Sequence, residues 1–191
     1  MAKIAIVYHS GYGHTEKQME AVAEGARGAG GEVTVLKATD LHDPESGPWD
    51  VLEAADAIIF GSPVYMGSVS GPFEMFADAS SKAWFDRKWQ DKLASGFVNS
   101  SNLDGDRGQA IHRMITLAMQ HGMLWVGSGL PPQDPAYPGD DPDNLNRLGF
   151  FAGGGSQSDA DKGPDVVPRA SDLANARHLG KRVVEQAERL K

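Results

Sequence analysis

The segment best suited to chemistry lies near the start of the chain and reads Ser10-Gly11-Tyr12-Gly13-His14-Thr15. It places two hydroxyl side chains and two glycines just before a predicted helix, whose free N–H groups attract anions. The dinucleotide motif G-x-G-x-x-G fails because Glu16 stands at its third glycine position, and the P-loop motif G-x-x-x-x-G-K-[ST] occurs nowhere in the chain. The segment therefore predicts a phosphate site, with an ordinary glycine-rich turn capped by Ser or Thr as the alternative.

Two further segments contain groups that suit a flat polar ring. Ser62 to Gly71 combines backbone donors with an aromatic and a thioether side chain, and Asn99 to Asn102 supplies small amide and hydroxyl groups. Either segment alone is as consistent with a turn as with a site. Together, at adjacent strand ends, the three segments indicate one binding site.

The elements that must position these loops alternate between strand and helix, as in a parallel sheet with crossover helices on both faces. Strands are predicted at 3–9, 32–37, 57–63 and 93–99, and a fifth begins at 124–126 and resumes at 148–152. The stretch between its two parts, 127–147, is rich in Pro, Gly and Asp and is interpreted as a functional loop or an insertion. These features predict an α/β fold, a flavodoxin-like doubly wound sheet of five parallel strands in the order 2-1-3-4-5, with an insertion in the fifth strand. Such sheets bind ligands at the carboxyl ends of their strands, where the three loops begin.

Composition narrows the possible functions. A chain of 191 residues, 40% hydrophobic and 23% charged, is expected to form a single domain over residues 1–191. The absence of cysteine excludes disulfides, thiolate metal sites and dithiol redox chemistry, and the six histidines lack metal-ligand spacing. A net charge of -8 disfavours nucleic acid as a partner. No apolar run approaches the ~20 residues of a membrane span and no leader follows Met1, so we expect a cytoplasmic protein.

The sequence resembles the WrbA-type NAD(P)H:quinone oxidoreductases, a branch of the flavodoxin-like FMN proteins, from Lys3 to the final helix. The residues that carry this resemblance are Ser10 to Thr15, Gly61 to Pro63, Gly67, Ser70-Gly71, Trp84, Ser100, His121-Gly122-Met123 and Ala152 to Gly154. The resemblance implies an FMN cofactor and a tetramer.

The resemblance also implies roles for individual residues. Ser10, Tyr12, Gly13, His14 and Thr15 would hold the FMN phosphate, and Tyr12 would also face the nicotinamide nucleotide. The isoalloxazine would be lined by Pro63, Val64, Tyr65, Met66 and Gly67, and its edge would be contacted by Asn99, Ser100, Ser101 and Asn102. Trp84 would sit over the substrate face, and His121 would approach the flavin from a neighbouring subunit.

Two loops depart from the family pattern. Val64-Tyr65-Met66 stands where the family usually has Thr-Arg-Phe, which removes a hydroxyl and a guanidinium near the ring. Residues 105–109, Gly-Asp-Arg-Gly-Gln, stand where the family has Gly-Gly-Gln-Glu. We expect these changes to affect the hydride donor more than FMN binding.

The predicted function is FMN-dependent electron transfer from NADH or NADPH to a quinone-like acceptor, with hydride passing to the flavin and no protein side chain acting as catalyst. The alternatives are a one-electron carrier of the flavodoxin type and a module that keeps the fold without turnover. Self-association to a dimer or tetramer is expected because Trp84, Phe85 and Trp89 place much apolar surface in one connection.

Overall fold

A computed structural model describes residues 1–134 and 140–191, so residues 135–139 of the predicted long loop lie outside the described residues. The strands are β1 (Lys3–Tyr8), β2 (Glu32–Lys37), β3 (Ala57–Tyr65), β4 (Ser68–Val69), β5 (Leu93–Ser100), β6 (Leu124–Trp125) and β7 (Gly154–Gln157). The helices are α1 (His14–Gly28), α2 (Trp49–Ala54), α3 (Gly71–Ala79), α4 (Ser81–Phe85), α5 (Arg107–Gln120) and α6 (Ala170–Arg189), and Ala38–Leu41 forms a 3₁₀ turn.

The sheet is parallel throughout its main path. β1 lies between β2 and β3, β5 follows β3, and both β6 and β7 pair in parallel with β5. The alternation of strands and helices therefore predicted the α/β class and the parallel sheet correctly.

The predicted count of five strands is wrong, because the described residues form seven. Met66 and Gly67 adopt positive φ angles of 49° and 82°, which turn the chain back so that β4 pairs antiparallel with the end of β3. The fifth position of the sheet is also divided. β6 pairs with Leu93 and Ala94, whereas β7 pairs with the later part of β5, so the order is β2-β1-β3-β5-β6 with β4 and β7 beside it.

The second part of the divided strand starts later than expected, at Gly154 rather than within 148–152. A Cβ atom on Gly153 would overlap the carbonyl oxygen of Gly96, so the chain reaches β5 only where glycines permit this approach. The carboxyl end of β7 consequently falls at Gln157, beside the end of β5.

Alternate side chains of the central strands belong to two hydrophobic clusters, one on each face of the sheet. Ile58 and Phe60 of β3 join the cluster covered by α3 and α5, whereas Ala57 and Ile59 join the one covered by α1 and α6. Burial on both faces explains why β3 and β5 are nearly free of charged residues. In the part of the chain that the structure describes, no helix combines the length and apolar character needed to cross a membrane.

The backbones of α1 and α6 touch directly. A Cβ atom on Gly180 would overlap the carbonyl oxygen of Val22, and one on Gly25 would overlap the carbonyl oxygen of Arg177. The two helices can cover one face of the sheet side by side only because these positions carry no side chain.

This contact predicts opposite effects for two Gly→Ala substitutions. Gly180→Ala should lower the free energy of unfolding by about 1 to 3 kcal/mol, because the new methyl group has no space. Gly28→Ala, at a helical position where a Cβ atom would meet no other atom within 4 Å, should raise it by up to about 1 kcal/mol, because alanine favours the helix. Urea unfolding measures both, and equal midpoints for the two variants would contradict the contact.

Candidate functional site

A cavity of about 620 Å³ opens at the carboxyl edge of the sheet. It is bounded by the loops that follow β1, β3 and β5 and by the segment that follows β7. Its lining residues are Ser10, Gly11, Tyr12, His14, Thr15, Pro63, Val64, Tyr65, Asn99, Ser100, Ser101, Ser158, Ala160, Lys162, Gly163 and Pro164. The volume lies within the range of about 300 to 1,000 Å³ that is typical of small-molecule sites.

The loop after β1 presents the amino terminus of α1 to this cavity. Gly13 adopts a left-handed conformation with φ 88° and lets α1 begin at His14. The Ser10 hydroxyl accepts hydrogen bonds from the backbone N–H groups of Gly13 (3.1 Å) and Glu16 (3.2 Å), which fixes the loop around the helix start. These bonds leave the hydroxyl hydrogen of Ser10 available as a donor.

Thr15 presents a hydroxyl at the start of α1. The residue is 1% exposed and lines the cavity. A ligand oxygen bound at the start of α1 could accept a hydrogen bond from this hydroxyl.

The loop after β3 packs against the loop after β1. The Tyr65 side chain occupies the space that a Cβ atom on Gly11 would need, and its ring meets Tyr12 edge-on with centroids 6.3 Å apart. Burial raises the pKa of Tyr65, with a further contribution from Tyr12, so its hydroxyl stays protonated at neutral pH. Met66 and Gly67 form the hairpin turn and do not line the cavity; Met66 is fully exposed.

The loop after β5 is tied to two neighbouring segments. The Asn99 amide donates to the hydroxyls of Ser156 (2.6 Å) and Ser158 (2.8 Å), which joins the ends of β5 and β7. Asn99, Ser100 and Ser101 line the cavity, and Asn102 follows them at the surface. The Asn102 carbonyl accepts a hydrogen bond from the buried guanidinium of Arg107 at 3.0 Å.

Sequence reasoning missed the fourth wall of the cavity, which comprises Ser158 and residues 160 and 162–164. His14 Nε2 lies 2.9 Å from the carbonyl oxygen of Lys162 and connects this wall to the first loop. Sequence reasoning could have found this wall, because β7 continues the divided fifth strand and its end must join the same edge of the sheet. The wall was missed because the second part of that strand was predicted at 148–152.

The cavity is free of negative charge. None of its lining residues, all within the described parts of the chain, is an aspartate or glutamate, although the protein carries a net charge of -8. Lys162 lines it, and its ammonium pairs with Asp159 at 2.5 Å. Within residues 1–134 and 140–191, no group of three or more potential ligands is arranged to hold a metal ion.

The structure does not bring His121 or Trp84 to the cavity of its own chain. His121 is 5% exposed, stacks on Trp89 with centroids 4.1 Å apart, and lies 2.9 Å through Nε2 from the Ser80 hydroxyl. Trp84 lies on α4 and is 44% exposed, and Trp89 is wholly buried. The ring of His121 packs within its own chain, and its approach to the flavin of a neighbouring subunit stays a prediction.

Comparisons of the chain with a family model, with known sequences and with solved structures agree with one another. Residues 3–132 match the family model described as NADPH-dependent FMN reductase. "Flavodoxin FldP" of Pseudomonas aeruginosa is 40% identical over 190 residues, covering 100% of this chain and 99% of that protein. An "NAD(P)H dehydrogenase (quinone)" of Archaeoglobus fulgidus is 32% identical over 214 residues, with both chains fully covered. A solved structure, that of a flavodoxin, WrbA-like protein from Agrobacterium tumefaciens, superposes with a TM-score of 0.77 at 39% identity, with both chains fully covered.

The burial of His121 predicts a pH dependence of stability. Burial lowers the pKa of His121 from 6.5 to about 4, so the unfolded chain binds this proton more readily than the folded one. The free energy of unfolding should therefore fall as the pH drops through 6.5 toward 4, and this residue should account for about 2 to 3 kcal/mol of the loss. Urea unfolding across that interval should show a shallower dependence for His121→Phe, in which Ser80 keeps its bond to the Ala77 carbonyl. An identical pH dependence in the unsubstituted protein and in His121→Phe would show that His121 does not cause the loss of stability.

Proposed function

Because this chain belongs to the NADPH-dependent FMN reductase family, we propose that it is an FMN-dependent oxidoreductase that passes electrons from a reduced nicotinamide to a quinone-like acceptor. Its WrbA-type relatives named as NAD(P)H dehydrogenases (quinone) share about 30% of their residues with it over the full length. The observation that carries the proposal is the cavity at the start of α1, which is lined by the Ser10 and Thr15 residues and has walls without a carboxylate.

The residues present fit an FMN phosphate. The dianion would meet the free N–H groups of the first turn of α1 and the hydroxyls of Ser10 and Thr15, which together compensate its charge without an arginine. Gly13 keeps the helix start accessible, and Tyr12 is exposed at the rim.

The flavin ring would lie between the two remaining loops. Pro63, Val64 and Tyr65 give one apolar wall, and Asn99, Ser100 and Ser101 give hydrogen-bonding groups for the polar edge of the ring. When bound, the flavin supplies the hydride and electron transfer. The chain's own residues orient the ring, exclude water from one side of it and compensate its charge.

The second candidate is an electron carrier of the flavodoxin type. The 40% identity to the flavodoxin of Pseudomonas aeruginosa favours it. Both candidates use the same cavity and differ in whether a nicotinamide and an acceptor reach the flavin. Turnover therefore separates them, whereas FMN binding does not.

We also propose that the chain is a single domain and self-associates through the segment around α4. Trp84 and Phe85 are 44% and 80% exposed there, next to each other. Because Trp84 does not line the cavity of its own chain, a role above the flavin requires a neighbouring chain to bring it there.

The phosphate placement predicts a selective loss of FMN affinity. The Ser10→Ala/Thr15→Val double variant should weaken FMN binding about 100- to 10,000-fold, since it removes two bonds to a charged group that contribute roughly 1.5 to 3 kcal/mol each. Riboflavin, which lacks the phosphate, should bind nearly as it does to the original protein. Thr116→Val, at an exposed hydroxyl on α5 that bonds to its own helix, serves as the control in fluorescence titrations. Equal weakening of both ligands would show that the loop does not hold the phosphate.

Steady-state oxidation of NADPH with a quinone tests the activity. The FMN-loaded protein should turn over, and Tyr65→Ala should weaken FMN binding about 2- to 10-fold, because an aromatic contact contributes about 0.5 to 1.5 kcal/mol. Trp84→Ala should raise the KM for quinone only if it also lowers the mass in sedimentation. Bound FMN without turnover would instead assign the chain to the electron carriers.

A further inference from the structure

Arg107, the first residue of α5, carries a buried charge that the proposed function does not explain. The residue is 4% exposed. Its guanidinium donates to the Ser100 hydroxyl and to the carbonyl oxygens of Asn102 and Leu103, all of which are uncharged. Burying a cation among neutral acceptors is costly, and the largest favourable charge acting on Arg107 is that of Asp172, which already pairs with Arg147.

The buried charged groups around Arg107 include one more cation than anion. Arg147 pairs with Asp172 at 2.8 Å, and that carboxylate is 2% exposed. Two guanidiniums and one carboxylate therefore lie together behind the loops after β5 and β7, and the remaining nearby carboxylate, Asp104, is exposed to solvent. Burial lowers the pKa of Arg107, yet a guanidinium starts from so high a value that it remains charged at neutral pH.

The charge lies one side chain away from the cavity. Ser100 lines the cavity and accepts its hydrogen bond directly from Arg107. The loop between them is tightly folded, because Gly105 and Asp106 have positive φ angles of 58° and 52° and a Cβ atom on Gly105 would overlap Ser100. Little water can therefore screen the guanidinium from whatever Ser100 contacts.

We infer that Arg107 is a positioning residue that sets the redox preference of this site: its buried charge acts through Ser100 to favour the reduced, negatively charged cofactor over the oxidised, neutral one. This rests on the proposed function, which places the polar edge of the flavin against Asn99, Ser100 and Ser101. A neutral flavin bound there would acquire one negative charge on accepting a hydride, which is two electrons and one proton. A fixed cation nearby stabilises that charge, as positive groups near a flavin ring do in general.

The test measures the reduction potential of bound FMN by spectroelectrochemistry. Arg107→Gln should lower the ratio of affinities for reduced over oxidised FMN about tenfold, which corresponds to a potential about 30 mV more negative for a two-electron couple. Arg107→Lys keeps the charge and should retain most of the ratio. Arg113→Gln removes the same charge from the same helix, where it is paired with Glu74 at the surface, and should leave the potential unchanged.

A second variant keeps the test decisive if Arg107→Gln fails to fold or to retain FMN. Asp104→Asn removes an exposed negative charge that acts on Arg107 without touching its hydrogen bonds. It should raise the affinity ratio about twofold, since a solvated charge is partly screened. An unchanged potential in Asp104→Asn would overturn the inference, and so would an unchanged potential in Arg107→Gln where that variant retains FMN. Failure of the unsubstituted protein to bind FMN would overturn the proposed function instead.

Discussion

Parallel pairing on both sides of β5 is the constraint on which the site depends. β3 lies on one side of this wholly buried strand, and β6 and β7 share the other. Because parallel strands end at the same edge, strand pairing alone brings together the loops after β1, β3, β5 and β7. The contact between α1 and α6 covers the face of the sheet from which α1 points its amino terminus at that edge. Disturbing either packing arrangement would move the walls of the cavity relative to one another.

The sequence was most informative where one interaction determines the structure. The apolar strand 57–63 and the helical spacing of α5 each require burial, so the parallel sheet and its layers could be predicted from pattern alone. The family was also predicted correctly, from short motifs that include the glycines and hydroxyls of the first loop. The divided fifth strand could not be placed, since its resumption is set by a close approach of Gly153 to Gly96 that no local pattern encodes.

Residues with more than one plausible environment were harder to place. His121 ends a helix before a glycine, a position that usually suits an exposed cation. Trp89 and Ser80, distant in sequence, instead enclose it, and burial then favours its neutral form. Arg107 shows the opposite case, because its side chain turns back to bond the loop before its own helix and the charge is retained inside the protein. The partners of His121 thus come from the tertiary structure, whereas those of Arg107 come from the loop that precedes it.

The packing of Tyr65 on Gly11 has an evolutionary consequence. The phenol fills the volume in which a side chain at position 11 would stand, so position 11 cannot become larger while Tyr65 remains. A larger residue at position 11 becomes acceptable only after position 65 has become smaller, and the order of the two steps is thereby fixed. Diversification of this loop pair consequently proceeds by paired replacement, with the smaller residue at position 65 arriving first.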